Sequence, residues 1–284
     1  MNKTTFIALA AKFLENSNDN YLGQEIAISD KVVGVKIFDD PVFGFASADD
    51  NYFEVLKSSK AIGDHFVKPA EWLPEATTVI SFFLPFSETI RKSNYCEKVW
   101  PSEGWVHGRV EGQALIDQLC RYLQQLLQQS GYLSIIPGLD GRFYKKLGNA
   151  KDYSDQSNKH QLQKNIPHYS SNWSERHVAF ICGLGTFGLS KGLITAKGIA
   201  GRFGSLVTNL YFSPTKREYE DIYDYCTQCG ACALQCPVNA ISIKKGKDHV
   251  KCFQFLRQTA EKFKPRYGCG KCQVNVPCEH QRPC

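Results

Sequence analysis

The chain lacks any apolar run approaching the roughly 18 residues that a membrane helix needs. It has no twin-arginine pair near its start, and its early apolar patch, residues 6–11, is closed by Lys12. That patch is expected to be an ordinary helix and not a signal segment. A cytoplasmic protein without a membrane partner is the resulting expectation. Cysteine is scarce over most of the length: only Cys96, Cys120 and Cys182 precede position 226. A small secreted disulfide framework is therefore excluded, and each of the three reads as a small core residue. Charge of one sign is also lacking there, with 24 Lys and Arg against 25 Asp and Glu in residues 1–225. The 284 residues are 43% hydrophobic and 22% charged, which excludes disorder, collagen and coiled coil. That length can bury one large core or two ordinary ones.

What is abundant lies at the end. Nine of the 12 cysteines fall at or after Cys226, where 10 Lys and Arg face 3 Asp and Glu. Taken alone, that excess would suggest nucleic-acid binding. Metal ligands are thiolates, however, and eight thiolates on two four-iron cores of about +2 each would remove about four charges.

Cys226, Cys229, Cys232 and Cys236, followed by Pro237, follow C-x2-C-x2-C-x3-C-P. This is the bacterial ferredoxin run, in which three sulfurs meet one iron–sulfur cube and the fourth points to a neighbour. Zinc ribbons, the alternative, use paired C-x2-C units. Cys252, Cys269, Cys272 and Cys278 form a second set. With the usual exchange, Cys278 completes Cys226, Cys229 and Cys232, while Cys236 joins Cys252, Cys269 and Cys272. The five-residue gap before Cys278 departs from the usual three, so Cys284 is the alternative eighth ligand.

Upstream, residues 77–84 form a β-branched and aromatic run closed by Pro85, which predicts a buried strand. Apolar positions 115, 116, 119, 122, 123, 126 and 127 predict a helix over 111–129. Strands are predicted at 132–136 and 205–212, and a short helix at 175–182 capped by Ser174. The polar stretch 139–172 reads as a functional lid, and a domain boundary is placed near 220. Trp105, His107, Arg109 and Glu111 form a polar and aromatic cluster ahead of the long helix, explained by capping and packing or by substrate contact.

Gly183, Gly185 and Gly188 match G-x-G-x-x-G, but a helix precedes them and no acidic residue stands about 20 positions on. A dinucleotide site is thereby disfavoured. A tight turn between helices, or close approach to a large flat cofactor, are the remaining explanations.

Residues 182–195, residues 204–210 and the two-cluster tail together resemble epoxyqueuosine reductases and their relatives, the corrinoid reductive dehalogenases. The resemblance runs over about residues 65–280 and includes the stretch 72–85. It implies an α+β protein: a nitroreductase-like α/β cofactor domain, residues 1–219, followed by a bicluster ferredoxin-like domain, residues 220–284. It implies two [4Fe-4S] clusters and base-off cobalamin, with Gly183, Gly185, Gly188, Lys191, Arg202 and Ser205 on the cofactor side. Counting back from Gly183 places Tyr169 where the family carries its proton donor. Tyrosine is the dehalogenase choice, and Arg176 or His177 is the cation expected to hold its phenolate. Only six residues follow Cys278, without the helical-repeat tail that helps hold tRNA, and Leu189 stands where epoxyqueuosine reductases carry Lys.

The expected function is that of an iron–sulfur reductase dependent on cobalamin. Its substrate would be a small molecule or modified nucleoside, and its electron donor an external flavodoxin or ferredoxin; tRNA is a doubtful partner. Alternatives are a ferredoxin-type electron carrier and a corrinoid-handling reductase or chaperone.

Overall fold

The computed structural model describes residues 1–149 and 167–284, the side chains of 146–149 and 167–169 excepted. Its first part runs α1 (Lys3–Asn16), β1 (Val42–Ser47), α2 (Tyr52–Val55), α3 (Pro69–Trp72), β2 (Thr78–Pro85), α4 (Glu88–Cys96) and α5 (Glu103–Gln129). Then come β3 (Ser134–Ile135), β4 (Lys145–Asn149), β5 (Pro167–Ser171), α6 (Glu175–Ile181), β6 (Gly185–Phe187), β7 (Leu193–Thr195) and β8 (Gly201–Thr208). The cysteine-rich end carries α7 (Ala231–Leu234), β9 (Ile241–Ser242), β10 (Gly246–Lys247) and α8 (His249–Lys262). No described helix is long and apolar enough to cross a membrane.

An antiparallel sheet in the order β1-β2-β8-β3 organises the first part. All eight residues of β2 are buried, because helices cover both faces. Its alternation divides the core. Ile80, Phe82 and Leu84 join Leu115, Leu119 and Leu123 of α5 on one side. Val79 joins Val178 and Ile181 of α6 on the other. A period-2 strand feeds both cores in this way. Truncating Phe82 would cost about 3–5 kcal/mol, the usual range for a buried aromatic.

Several boundaries differ from the sequence expectation. α5 begins at Glu103, capped by the Ser102 hydroxyl accepting from Trp105 N at 3.1 Å. Trp105, His107, Arg109 and Glu111 therefore lie within the helix and not ahead of it. The strand expected at 205–212 is β8, which starts four residues earlier and ends at Thr208. Gly201 and Gly204 read as breaks in the sequence. They sit inside β8 because the rings of Phe83 and Phe82 fill the space of their missing Cβ atoms. The strand expected at 132–136 shortens to Ser134–Ile135. The glycine segment joins α6 to the β6–β7 hairpin, not to another helix. Part of the expected lid is the β4–β5 hairpin, with Lys145 opposite Ser171; residues 150–166 lie outside the described residues. The boundary expected near 220 falls in chain with neither helix nor strand, between β8 and α7.

Candidate metal centres and the cleft beside them

Cys226, Cys229 and Cys232 line one small cavity together with Cys278, although 46 positions separate Cys278 from Cys232. Backbone hydrogen bonds bring it there. Ile199 N donates to Cys278 O at 2.8 Å and Ala200 N to Glu279 O at 3.1 Å. Gly198 permits this approach: its φ is +79°, and a Cβ there would lie 2.3 Å from Glu279 O. Only glycine suits both demands. Leu189 N donates to Cys226 Sγ at 3.3 Å, the kind of contact that tunes a cluster's potential.

Cys236, Cys252, Cys269 and Cys272 form a second neighbourhood. Burial pushes the Cys269 thiol up to about 12, and Cys272, Cys252 and Cys236 act in the same direction. In the first set, burial likewise pushes Cys278 up to about 12, with Cys232, Cys226 and Cys229 adding to it. Thiols crowded in this way are costly to ionise unless a metal takes the charge. Cys284 is exposed.

The first part of the chain supports the second set directly. Gly270 has φ +63°, and a Cβ there would lie 1.8 Å from the Trp105 ring. The loop between Cys269 and Cys272 thus rests on the indole. Asn94 Nδ2 donates to Cys269 O at 3.0 Å. Lys271 is buried and its Nζ donates to Asn94 O and Glu97 O at 2.5 and 2.6 Å, a cation at the C-terminal end of α4. Among the described residues no three His, Cys, Asp or Glu side chains close on a point as around one metal ion. Cysteines of a four-iron cube bind separate irons and stand wider apart than the ligands of a single metal ion.

Beside the second set three guanidinium groups lie within electrostatic reach of one another: Arg109 on α5, Arg176 on α6 and Arg202 on β8. Burial pulls Arg202 down to about 9, and Arg109 and Arg176 reinforce that shift. Burial and Arg109 also lower Arg176, while Cys272 and Cys252 oppose the change. Arg176 is exposed to solvent, whereas Arg109 and Arg202 are half-buried. Arg109 Nη2 donates to the Tyr267 hydroxyl at 3.1 Å.

The other expected site residues divide. Tyr169 lies in β5 opposite Leu147; its side chain lies outside the described residues. His177 pairs with Ser174 Oγ at 2.8 Å and packs on Phe187. Burial, then Arg176, lower His177 to about 4. It is thus neutral near pH 7, unlike the guanidinium of Arg176. Lys191 bonds to the Tyr223 hydroxyl, and its carbonyl accepts from Arg176 Nη1 at 2.6 Å. Ser205 is buried in the core and accepts from Trp173 Nε1 at 2.9 Å, so it faces no open site. A Cβ on Gly183 would meet Thr215, and one on Gly185 would lie 1.8 Å from Ile194 O. Chain packing, not a flat cofactor, explains these two glycines; Gly188 lines the cavity of the first cysteine set. Cys120 and Cys182 are core residues, as their isolation suggested, whereas Cys96, at the end of α4, is exposed.

The sequence reading passed over Tyr267, Lys271 and Glu175. No local motif marks the first two. The acidic start of α6 was legible, its burial was not. Burial raises Glu175 to about 7 from the ordinary 4.5; the Ser205 hydroxyl opposes this and Asp117 adds to it. Between those values the folded state keeps a proton that the unfolded chain has lost. Its contribution to stability is therefore complete below about pH 4.5 and lost as pH rises through 7. Glu175→Gln is expected to melt above wild type by a margin that widens from pH 6 to pH 8.5. A margin independent of pH in thermal unfolding would contradict this.

A model of a 4Fe-4S binding domain matches residues 219–242. No curated protein matches the chain. Epoxyqueuosine reductase from Streptococcus thermophilus is similar over 100% of this chain and 68% of its own, at 16% identity and a TM-score of 0.50. The Bacillus subtilis enzyme is similar over 87% of this chain and 63% of its own, at 17% identity and TM-score 0.49. A catabolic reductive dehalogenase covers 99% of this chain and 37% of its own, at 15% identity and TM-score 0.49. At such identities the first likeness shows a shared fold.

Proposed function

We propose that the chain is an iron–sulfur reductase that holds two four-iron clusters and reduces a substrate in the adjoining cleft. The observation that carries this is the convergence of distant cysteines into two sets of four. When bound, the clusters supply single electrons at low potential. Cys226, Cys229, Cys232 and Cys278 hold one, and Cys236, Cys252, Cys269 and Cys272 the other. Cys229 is exposed, which turns the first set toward an external flavodoxin- or ferredoxin-type donor. Cys252 and Cys272 act on Arg176, which turns the second toward the cleft. Tyr169 is the proton donor in this reading, with Arg176 to stabilise the phenolate, and the substrate is a small molecule or modified nucleoside.

Cobalamin is the cofactor that the sequence resemblance adds to this reading. Gly183 and Gly185, offered as its seat, do not fit that role, because protein fills the space beside them. A base-off resonance signal on adding cob(II)alamin would bring it in. Anaerobic iron and sulfide assay tests the clusters: about eight irons per chain are expected, and stoichiometric zinc would overturn the proposal.

A further inference from the structure

Arg109, Arg176 and Arg202 come from three separate elements and lie within electrostatic reach of one another; Arg202 bonds Gln113, one helical turn from Arg109 on α5. None of them has an ion-pair partner within 4.0 Å among the described residues. The Nε atoms of Arg109 and Arg202 are buried without any hydrogen-bond partner. Arg202 spends one Nη on Gln113 Oε1, and Gln113 in turn donates to Asp117 at 2.8 Å. Asp117 is the carboxylate within electrostatic reach of Arg202. A bound cluster at Cys252 and Cys272, with a net charge of about −2, would offset Arg176. Arg109 and Arg202 would still face each other.

Like charges held together with buried, unused Nε donors are unfavourable without a counter-charge. They persist where a ligand supplies the missing charge, and guanidinium forks match the paired oxygens of phosphate and carboxylate. Tyr267, already bonded to Arg109, adds a hydroxyl at the same place. A carrier with no substrate has no use for such a site.

We infer that Arg109, Arg176 and Arg202 form an oxyanion-binding subsite, and that the substrate carries a phosphate or carboxylate group. This rests on the reading of the cleft as the substrate site.

The test uses cluster-loaded protein, with inorganic phosphate and malonate as probes and chloride matched for ionic strength. Wild type is expected to bind one probe by calorimetry and to melt several degrees higher in its presence. The better probe assigns phosphate or carboxylate. Arg202→Gln should bind at least tenfold more weakly, and Arg202→Lys, which keeps the charge without the fork, should fall between. Lys12→Gln on α1 should bind as wild type. Binding no better than chloride, or equal binding in Arg202→Gln, overturns the subsite. Phosphate binding abolished by prior cobalamin loading would give the site to the cofactor's phosphodiester and overturn the substrate assignment. Visible iron–sulfur absorbance is read in the same samples. Its absence in wild type would remove the reductase reading, whereas intact absorbance without probe binding removes the subsite alone.

Discussion

Cys278→Ser is expected to lower the iron content of anaerobically prepared protein from about eight to about four per chain. The serine hydroxyl keeps the shape of the side chain but is a poor iron ligand. The backbone bonds from Ile199 and Ala200 to Cys278 and Glu279 do not depend on the sulfur, so the local path of the chain should survive. What is lost is the proposed fourth ligand beside Cys226, Cys229 and Cys232. Because metal binding contributes directly to folding in small metal-held segments, the cysteine-rich end should also melt earlier. Turnover supported by an external donor should drop to background. Cys284→Ser is the paired measurement and should retain about eight irons. The reverse pattern, loss in Cys284→Ser and none in Cys278→Ser, would reassign the eighth ligand. Cys236→Ser should remove the other cluster and leave the spectrum of the first.

Tyr169→Phe is expected to lower turnover by about 10²-fold or more, the usual scale for losing a general acid. The substitution deletes only a hydroxyl. Clusters and substrate affinity should be unchanged, so the loss should fall on kcat and not on KM. β5 leads through Asn172 and Trp173 into α6, which carries Arg176; Tyr169 and Arg176 thus lie on one continuous stretch. A tyrosine has an ordinary pKa of about 10 and yields its proton more readily beside a cation. Arg176→Gln should therefore reduce turnover and shift the alkaline limb of the rate profile upward. Tyr144→Phe, on an exposed side chain nearby, should behave as wild type. Small epoxides, organohalides and modified nucleosides provide the substrate screen. Unchanged turnover in Tyr169→Phe would remove this residue from the chemistry.

The parts that sequence predicted well depend on short-range spacing. Cys226 to Cys236 declare their chemistry because three- and four-residue intervals bring sulfurs together within one loop and turn. Residues 115–127 declare a helix because one face repeats every 3.6 positions. Residues 77–84 declare a buried strand by composition. The start of β8 was missed because Gly201 and Gly204 look like breaks until the rings of Phe83 and Phe82 are in place. Ser205 looked available for a cofactor. In β8 it is enclosed by the core and bonded to Trp173.

The cysteine spacing, the helical period of α5 and the charge division at position 226 were determined by the sequence by itself, since each is a relation between near neighbours or a count. Tertiary structure decided the meeting of Cys278 with Cys226, the seat of Gly270 on Trp105 and the gathering of Arg109, Arg176 and Arg202. These residues belong to different elements, and their distances follow from how helices pack on a sheet. No periodicity along the chain encodes such juxtapositions. A half-buried guanidinium also reads in sequence like any solvated one until the protein around it removes part of the water.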